Sequence, residues 1–270
     1  ALGWLCAIAA AWGLYALGRH LHDHRTGVLL AVLWGVIPHA VTESMAYTES
    51  LFTALAVWTL HSVLTRRWTA AGAVCLLAGL SRPTASALVP VVCLAALIAI
   101  IGRKDGWRPW ITLILAPAGW LGYLLWVGNR VHRLDGWFNI QNKGWGSSWD
   151  AGRFTVTTVQ RMLARPAAFD FYLVTVVLVL AVMLFALSLA DRQPWPLLLF
   201  STLLLATSLG GSGYYLAKAR FLVAAFPLLL PAAVALAKAR RSTVFITLTT
   251  LTLLSGWFGG CLLLVSNHSP

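Results

Sequence analysis

The sequence predicts an all-α protein, a polytopic bundle of transmembrane helices with about ten membrane segments, two of them short helices broken near proline. Three observations predict it. Of 270 residues, 59% are hydrophobic and only 10% are Asp, Glu, Lys or Arg, against about 25% charged in a soluble domain. So few charges cannot clothe a surface in water, which excludes a soluble enzyme, a disordered chain and a disulfide scaffold. Apolar runs recur at lengths suited to ~30 Å of hydrocarbon. The net charge of +12 is gathered in short clusters between those runs, as membrane topology requires. In so apolar a chain that pattern points to the lipid bilayer as partner, not to nucleic acid.

The elements follow in order. Run 2–18 opens the chain, and Ala1 already lies in apolar sequence. There is no initiator Met, basic n-region or small-residue cleavage site, so the chain is expected to be a fragment. His20, His22 and His24 alternate in a loop without a Cys or carboxylate pair, which reads as a solvated inner loop rather than a metal site. Runs 27–38 and 68–80 are short, ending at Pro38-His39 and at Ser81-Arg82-Pro83. Runs 50–65 and 84–101 follow them. Proline ends a helix and biases its predecessor away from the α region, so each short helix should meet its successor at a polar break. Such breaks are tolerated at membrane depth only where they line a cavity.

Run 110–128 leads into the long loop 129–168. Within it, 151–165 carries Val156, Val159, Met162 and Leu163 near helical spacing with Arg153, Arg161 and Arg165 between, the pattern of an interfacial helix. Runs 169–190, 195–211, 221–237 and 243–265 complete a single transmembrane domain over 1–270. Gly210-Gly211-Ser212-Gly213 lacks a following Lys-Ser/Thr and reads as a turn, not a nucleotide cradle. Cys6, Cys75, Cys93 and Cys261 form no CxxC and lie in apolar runs, so they read as core thiols. No cofactor follows from these residues, and a divalent metal stays an open question.

Orientation comes from the short loops. Arg19/Arg25, Arg66/Arg67, Arg103/Lys104/Arg108, Arg192 and Lys238/Arg240/Arg241 alternate strictly when placed in the cytoplasm. Both ends and loop 129–168 are then outside. Arg outnumbers Lys 16 to 4, a bias associated with GC-rich bacterial genomes.

The outer face collects four constellations. Glu43, Tyr47 and Glu49 stand at the entrance to a helix. Glu49 fits the first turn by the helix dipole, and equally fits an acid facing a polar cavity. Arg82 lies between two apolar runs and requires a partner, either Glu43 or Glu49, or a bound anion such as a lipid phosphate. Tyr214, Tyr215, Lys218 and Arg220 place two cations where the topology rule disfavours them. They suit a phosphate, or ordinary headgroups. In an extended stretch Lys218 and Arg220 would share one face. Trp137, Gln141, Trp145 and Asp150 suit stacking and hydrogen bonding to a sugar, or a plain interfacial belt.

The order of these blocks carries more than each alone. Pro38, Ser44-Met45, Tyr47-Thr48-Glu49-Ser50-Leu51-Phe52, then Gly79-Leu80-Ser81-Arg82-Pro83-Thr84, then Trp137-Phe138, Gln141 and Trp145-Gly146, then Lys218-Ala219-Arg220-Phe221 with Pro227 and Pro231, resembles the bacterial PIG-V-like mannosyltransferase family. The resemblance covers roughly 27–240. It implies the type C glycosyltransferase class and a polyprenyl-phosphate sugar donor, normally mannose, used on the outer face. It also implies a base in a first outer loop. That loop would precede Ala1, so the fragment is expected to lack it and the first helix, and to be silent in transfer. Lys218 and Arg220, with Arg82, would stabilise the phosphate leaving group. Glu49 is the candidate acid that orients acceptor or donor. Trp137, Gln141 and Trp145 would shape the sugar pocket, and the acceptor is unspecified. A secondary transporter and a non-catalytic scaffold are the rival readings.

Overall fold

A computed structural model describes residues 2–38, 40, 47–103 and 105–264. Among them there are helices and no strands. α1 (Leu2–Leu21) and α2 (His24–Gly35) form a hairpin around Asp23, whose carboxylate accepts from the Thr26 N–H at 2.7 Å and caps α2. α3 (Glu49–Leu64) and α4 (Trp68–Ser81) follow, then a 3-10 turn (Pro83–Ala87) leading into α5 (Val89–Ile101). α6 (Arg108–Arg130) ends at the long loop, which holds α7 (Gly136–Trp145) and α8 (Arg153–Ala164). α9 (Phe169–Ala190), α10 (Trp195–Gly210), α11 (Ala217–Phe221), α12 (Leu230–Lys238) and α13 (Arg241–Leu264) complete the chain.

Each of the ten apolar runs carries helix, but 27–38 outlasts the helix ending at Gly35, and 221–237 is broken by two 3-10 turns before α12. Among the described residues five spans are long and apolar enough to cross a membrane: Leu2–Leu21, Pro83–Ile101, Arg108–Arg130, Phe169–Ala190 and Arg241–Cys261. Ala217–Lys238 makes a sixth if its halves, bent by 77°, count as one. Large apolar side chains point outward along several of these helices, among them Leu5, Ile114, Met183 and Leu253. Rows of exposed aliphatics suit hydrocarbon and not water. The chain is a helical membrane protein by length, composition and surface.

Two packing features position the outer residues. α4 and α6 run parallel and touch backbone to backbone. A Cβ on Gly119 would lie 2.0 Å from the Leu76 carbonyl oxygen, and one on Gly79 would lie 2.4 Å from the Trp120 nitrogen. Thr112 Oγ1 donates to the Trp68 carbonyl at 2.7 Å, and Trp120 Nε1 donates to the Pro83 carbonyl at 3.2 Å. α6 thus grips both ends of α4 and the turn that carries Arg82. The second feature is the break after α11, where Trp34 of α2 donates its indole N–H to the Val223 carbonyl at 3.1 Å. That bond occupies a carbonyl beside the bend, where the regular helix ladder is interrupted.

Long-range contacts join loops that the charge pattern assigns to one face. Arg66 pairs with Asp105 at 3.7 Å, and Arg25 donates to the Ala239 carbonyl at 2.9 Å. At the other end, 148 meets 212, and 49 meets both 82 and 220. The expected helix in 151–165 is present as α8, with a different buried face. Met162 and Thr158 are covered, while Val156 and Leu163 are exposed. Thr155 Oγ1 donates to the Leu209 carbonyl and Tyr172 donates to the Met162 carbonyl. These bonds dock α8 on α9 and α10 along its 155/158/162 face.

Candidate functional site

Glu49 is the first residue of α3, preceded by Thr48, whose side chain makes no capping bond. Its carboxylate is directed away from its own helix end and into protein, where Glu49 is 3% exposed. Oε1 lies 2.5 Å from Arg82 Nη1 and 3.2 Å from Arg220 Nε. Arg82 ends α4 in an extended conformation, φ −153° and ψ 146°, as the residue before Pro83 must. Arg220 comes from α11, 171 positions away from Glu49 in the chain. Its guanidinium sits 4.7 Å over the Tyr47 ring, while Phe221 lies 5.9 Å from it and 6.0 Å from Arg82.

A buried charge cluster of this kind persists only when each ion has a partner. Glu49 and the two arginines supply that to one another. Their oxygen inventory is nevertheless incomplete among the described residues. Glu49 Oε2, Thr53 Oγ1 one helical turn below, and Thr84 Oγ1 two residues beyond Arg82 have no hydrogen-bond partner. Buried polar atoms are normally satisfied, so each of these oxygens stands out as lacking a donor. Among the described residues no three His, Cys, Asp or Glu side chains come together around a metal position. Glu49 itself stands between two guanidiniums, which repel a cation.

The structure separates the two cations of the Lys218-Ala219-Arg220 block, and this corrects the expectation of an extended stretch. Residues 217–221 form a turn of α-helix, so side chains two apart diverge by ~200°. Lys218 is 3% exposed and turns the other way. Its ammonium donates to the Ser208 carbonyl at 2.7 Å and to the Gly211 carbonyl at 2.5 Å, and lies 5.8 Å over the Phe154 ring. The reason is the end of α10, which leaves carbonyls without helical partners. Lys218 satisfies them and does not join Arg220 at one phosphate.

Tyr215 is also diverted. It is buried, stacks on Phe171 at 5.6 Å and hydrogen-bonds the Thr175 hydroxyl at 2.8 Å. Tyr214 is 37% exposed. Asp150 serves a helix end, accepting from the Gly152 and Phe154 N–H groups at 3.0 and 2.7 Å; it is not presented to a pocket. Trp137, Gln141 and Trp145 lie four residues apart on α7 and so share one stripe of it. Trp145 is 68% exposed. No hydrogen bond or ion pair among the described residues joins this stripe to Glu49. Glu43 lies outside the described residues.

Sequence reasoning gave no role to Thr53 or to Thr84, although Thr84 closes the Ser81-Arg82-Pro83-Thr84 block. The i, i+4 spacing of Glu49 and Thr53 in an apolar helix was the available signal. The glycines at 210–213 were read as a turn. Their further role is to seat the outer loop: a Cβ on Gly210 would lie 2.3 Å from the Trp149 indole, and Ser148 and Ser212 exchange main-chain and hydroxyl hydrogen bonds. Compared with protein families, with curated proteins and with solved structures, the chain matches none.

Proposed function

We propose that the protein is a membrane glycosyltransferase resembling the PIG-V-like family. It would move a hexose, normally mannose, from a polyprenyl-phosphate donor to an acceptor hydroxyl on the outer face of a bacterial plasma membrane. One observation carries the reading. Three of the sequence blocks behind the resemblance, Tyr47-Thr48-Glu49, Ser81-Arg82-Pro83-Thr84 and Arg220-Phe221, converge on a single buried charge cluster. The proposal includes a type C architecture of about ten membrane segments, with both chain ends and loop 129–168 outside. The sorting of loop contacts into two ends supports that topology.

In this reading Arg82 and Arg220 face the phosphate that leaves the sugar. The Arg82 guanidinium carries five donors and pairs with Glu49 through Nη1, so it keeps directed capacity for phosphate oxygens. Negative charge builds on that phosphate in the transition state, where preorganised cations in a dry site contribute most. Glu49 orients the reacting hydroxyl through Oε2. Trp137, Gln141 and Trp145 form a sugar-stacking stripe near the outer surface.

The test is transfer of radiolabelled mannose from a polyprenyl-phosphate donor by the full-length protein in proteoliposomes. Arg220→Ala is expected to lower turnover by roughly 30- to 1000-fold, the equivalent of about 2–4 kcal/mol of transition-state stabilisation. Arg240→Ala, at the opposite end, should leave it unchanged. The bend of 77° within Ala217–Lys238 also favours a second reading, a secondary transporter, since broken helices line transporter sites. Exchange of labelled solute without sugar transfer would select that reading.

A further inference from the structure

A cavity of about 470 Å³ lies at the end of the bundle opposite Glu49. His20 of α1 meets His61 of α3 at 5.6 Å, so the C-terminal ends of these helices are together. Glu49 begins α3, a helix of 16 residues, about 24 Å long at 1.5 Å per residue. The cavity is walled by the α1–α2 loop, the α9–α10 loop and α12. It is independent of the proposed transferase site.

Its lining has three parts. Leu230, Pro231 and Val234 make an apolar wall along α12. The rim carries both signs: Asp23 and Asp191 against Arg192 and Lys238. Although these charges share one opening, none is ion-paired with another among the described residues. Asp23 is ionised at neutral pH, because the Thr26 N–H holds its carboxyl below the usual carboxylate range. Gln193 closes the third side. It is 7% exposed, and its amide nitrogen donates to Ser188 Oγ at 3.2 Å and to the Pro227 carbonyl at 3.4 Å. Its side chain is thus held by the protein itself, with Oε1 enclosed and shut off from the opening.

We propose that this cavity binds an aminoethyl phosphate group carried on a lipid, the headgroup of a phosphatidylethanolamine. The phosphate pairs with Arg192 and Lys238. The ammonium supplies charge and N–H donors to the Asp191 carboxylate. The apolar wall along α12 takes the start of an acyl chain, which a soluble phosphoamine lacks.

Native mass spectrometry of the delipidated full-length protein tests it, with phosphatidylethanolamine, phosphatidylcholine and phosphatidylglycerol offered in turn. Phosphatidylethanolamine should bind roughly tenfold more tightly than either rival, the size of one charge-assisted hydrogen bond. Phosphatidylcholine has the charge without an N–H, and phosphatidylglycerol has the phosphate without the cation. Arg192→Gln should weaken all three lipids, while Asp191→Asn should remove most of the preference over phosphatidylglycerol. Both substitutions lie on the exposed rim, and circular dichroism checks that each variant stays folded. Equal binding of the three lipids, or a preference unmoved by both substitutions, would overturn the proposal. Free phosphoethanolamine competing as well as the lipid at equal concentration would overturn the lipid as its source.

Discussion

Lys218 and Arg220 stand two residues apart on one turn of helix and carry the same charge, yet they are held in opposite ways. Lys218 is closed by the main chain, with the carbonyls of Ser208 and Gly211 as its acceptors. Around it lie the Phe154 ring and the loop that Asp150 ties down. Arg220 faces a side-chain carboxylate shared with Arg82, and beside that carboxylate stand oxygens with no partner. A cation saturated by backbone is part of the scaffold. A cation that meets an acid with unfilled oxygens nearby stands where a ligand can compete. The difference lies in what surrounds the charge, not in the charge.

The contrast can be broken most strongly at Glu49. Glu49→Ala leaves two partly buried guanidiniums without their shared carboxylate, which should cost about 3 kcal/mol, the lower end for a broken buried pair. Unfolding of the purified variant in a detergent titration reads this directly. A loss well under 1 kcal/mol would mean that the cluster is wet and the arginines are solvated without Glu49. Lys218→Met keeps the stem and removes the ammonium. It should cost about 1.5–3 kcal/mol, the range for hydrogen bonds to a charged group. Its damage should be local, seen as faster proteolysis of 146–152 with little change elsewhere. Slower transfer with an intact loop would place Lys218 back with the phosphate. Asp150→Asn sharpens the same boundary with the smallest effect, about 0.5–2 kcal/mol for a weakened helix cap. It should loosen α8 and leave the pairing at Glu49 untouched, measurable as hydrogen exchange confined to 150–156.

Part of this arrangement was legible in the sequence. The apolar runs fall on helices because length and hydropathy alone decide which segments can stay in hydrocarbon. The Arg82–Glu49 pair is one of the pairings the sequence allows for the same kind of reason, since an arginine between apolar runs must find an anion. The separation of Lys218 from Arg220 was not legible. It turns on whether five residues after a glycine run form a helix, and that follows from the end of α10 needing donors. The seat of Trp149 on Gly210 was equally hidden, because it joins positions about sixty residues apart. The diversion of Tyr215 into the core beside Phe171 depends on how α9 packs, which no local pattern encodes.

The glycine contact between α4 and α6 has a consequence for inherited variation. With no side chain between the two backbones at Leu76 and Gly119, any replacement at Gly79 or Gly119 must wedge the helices apart. Arg82 ends α4, and the Trp120 bond to the Pro83 carbonyl fixes the turn that carries it. A wedge of even a methyl group therefore shifts the guanidinium relative to Glu49. Substitutions at these two glycines would read in a genetic screen as lesions of the Glu49 cluster, although neither residue carries a functional group. A tolerance map of the protein should show them as dark as Glu49 itself.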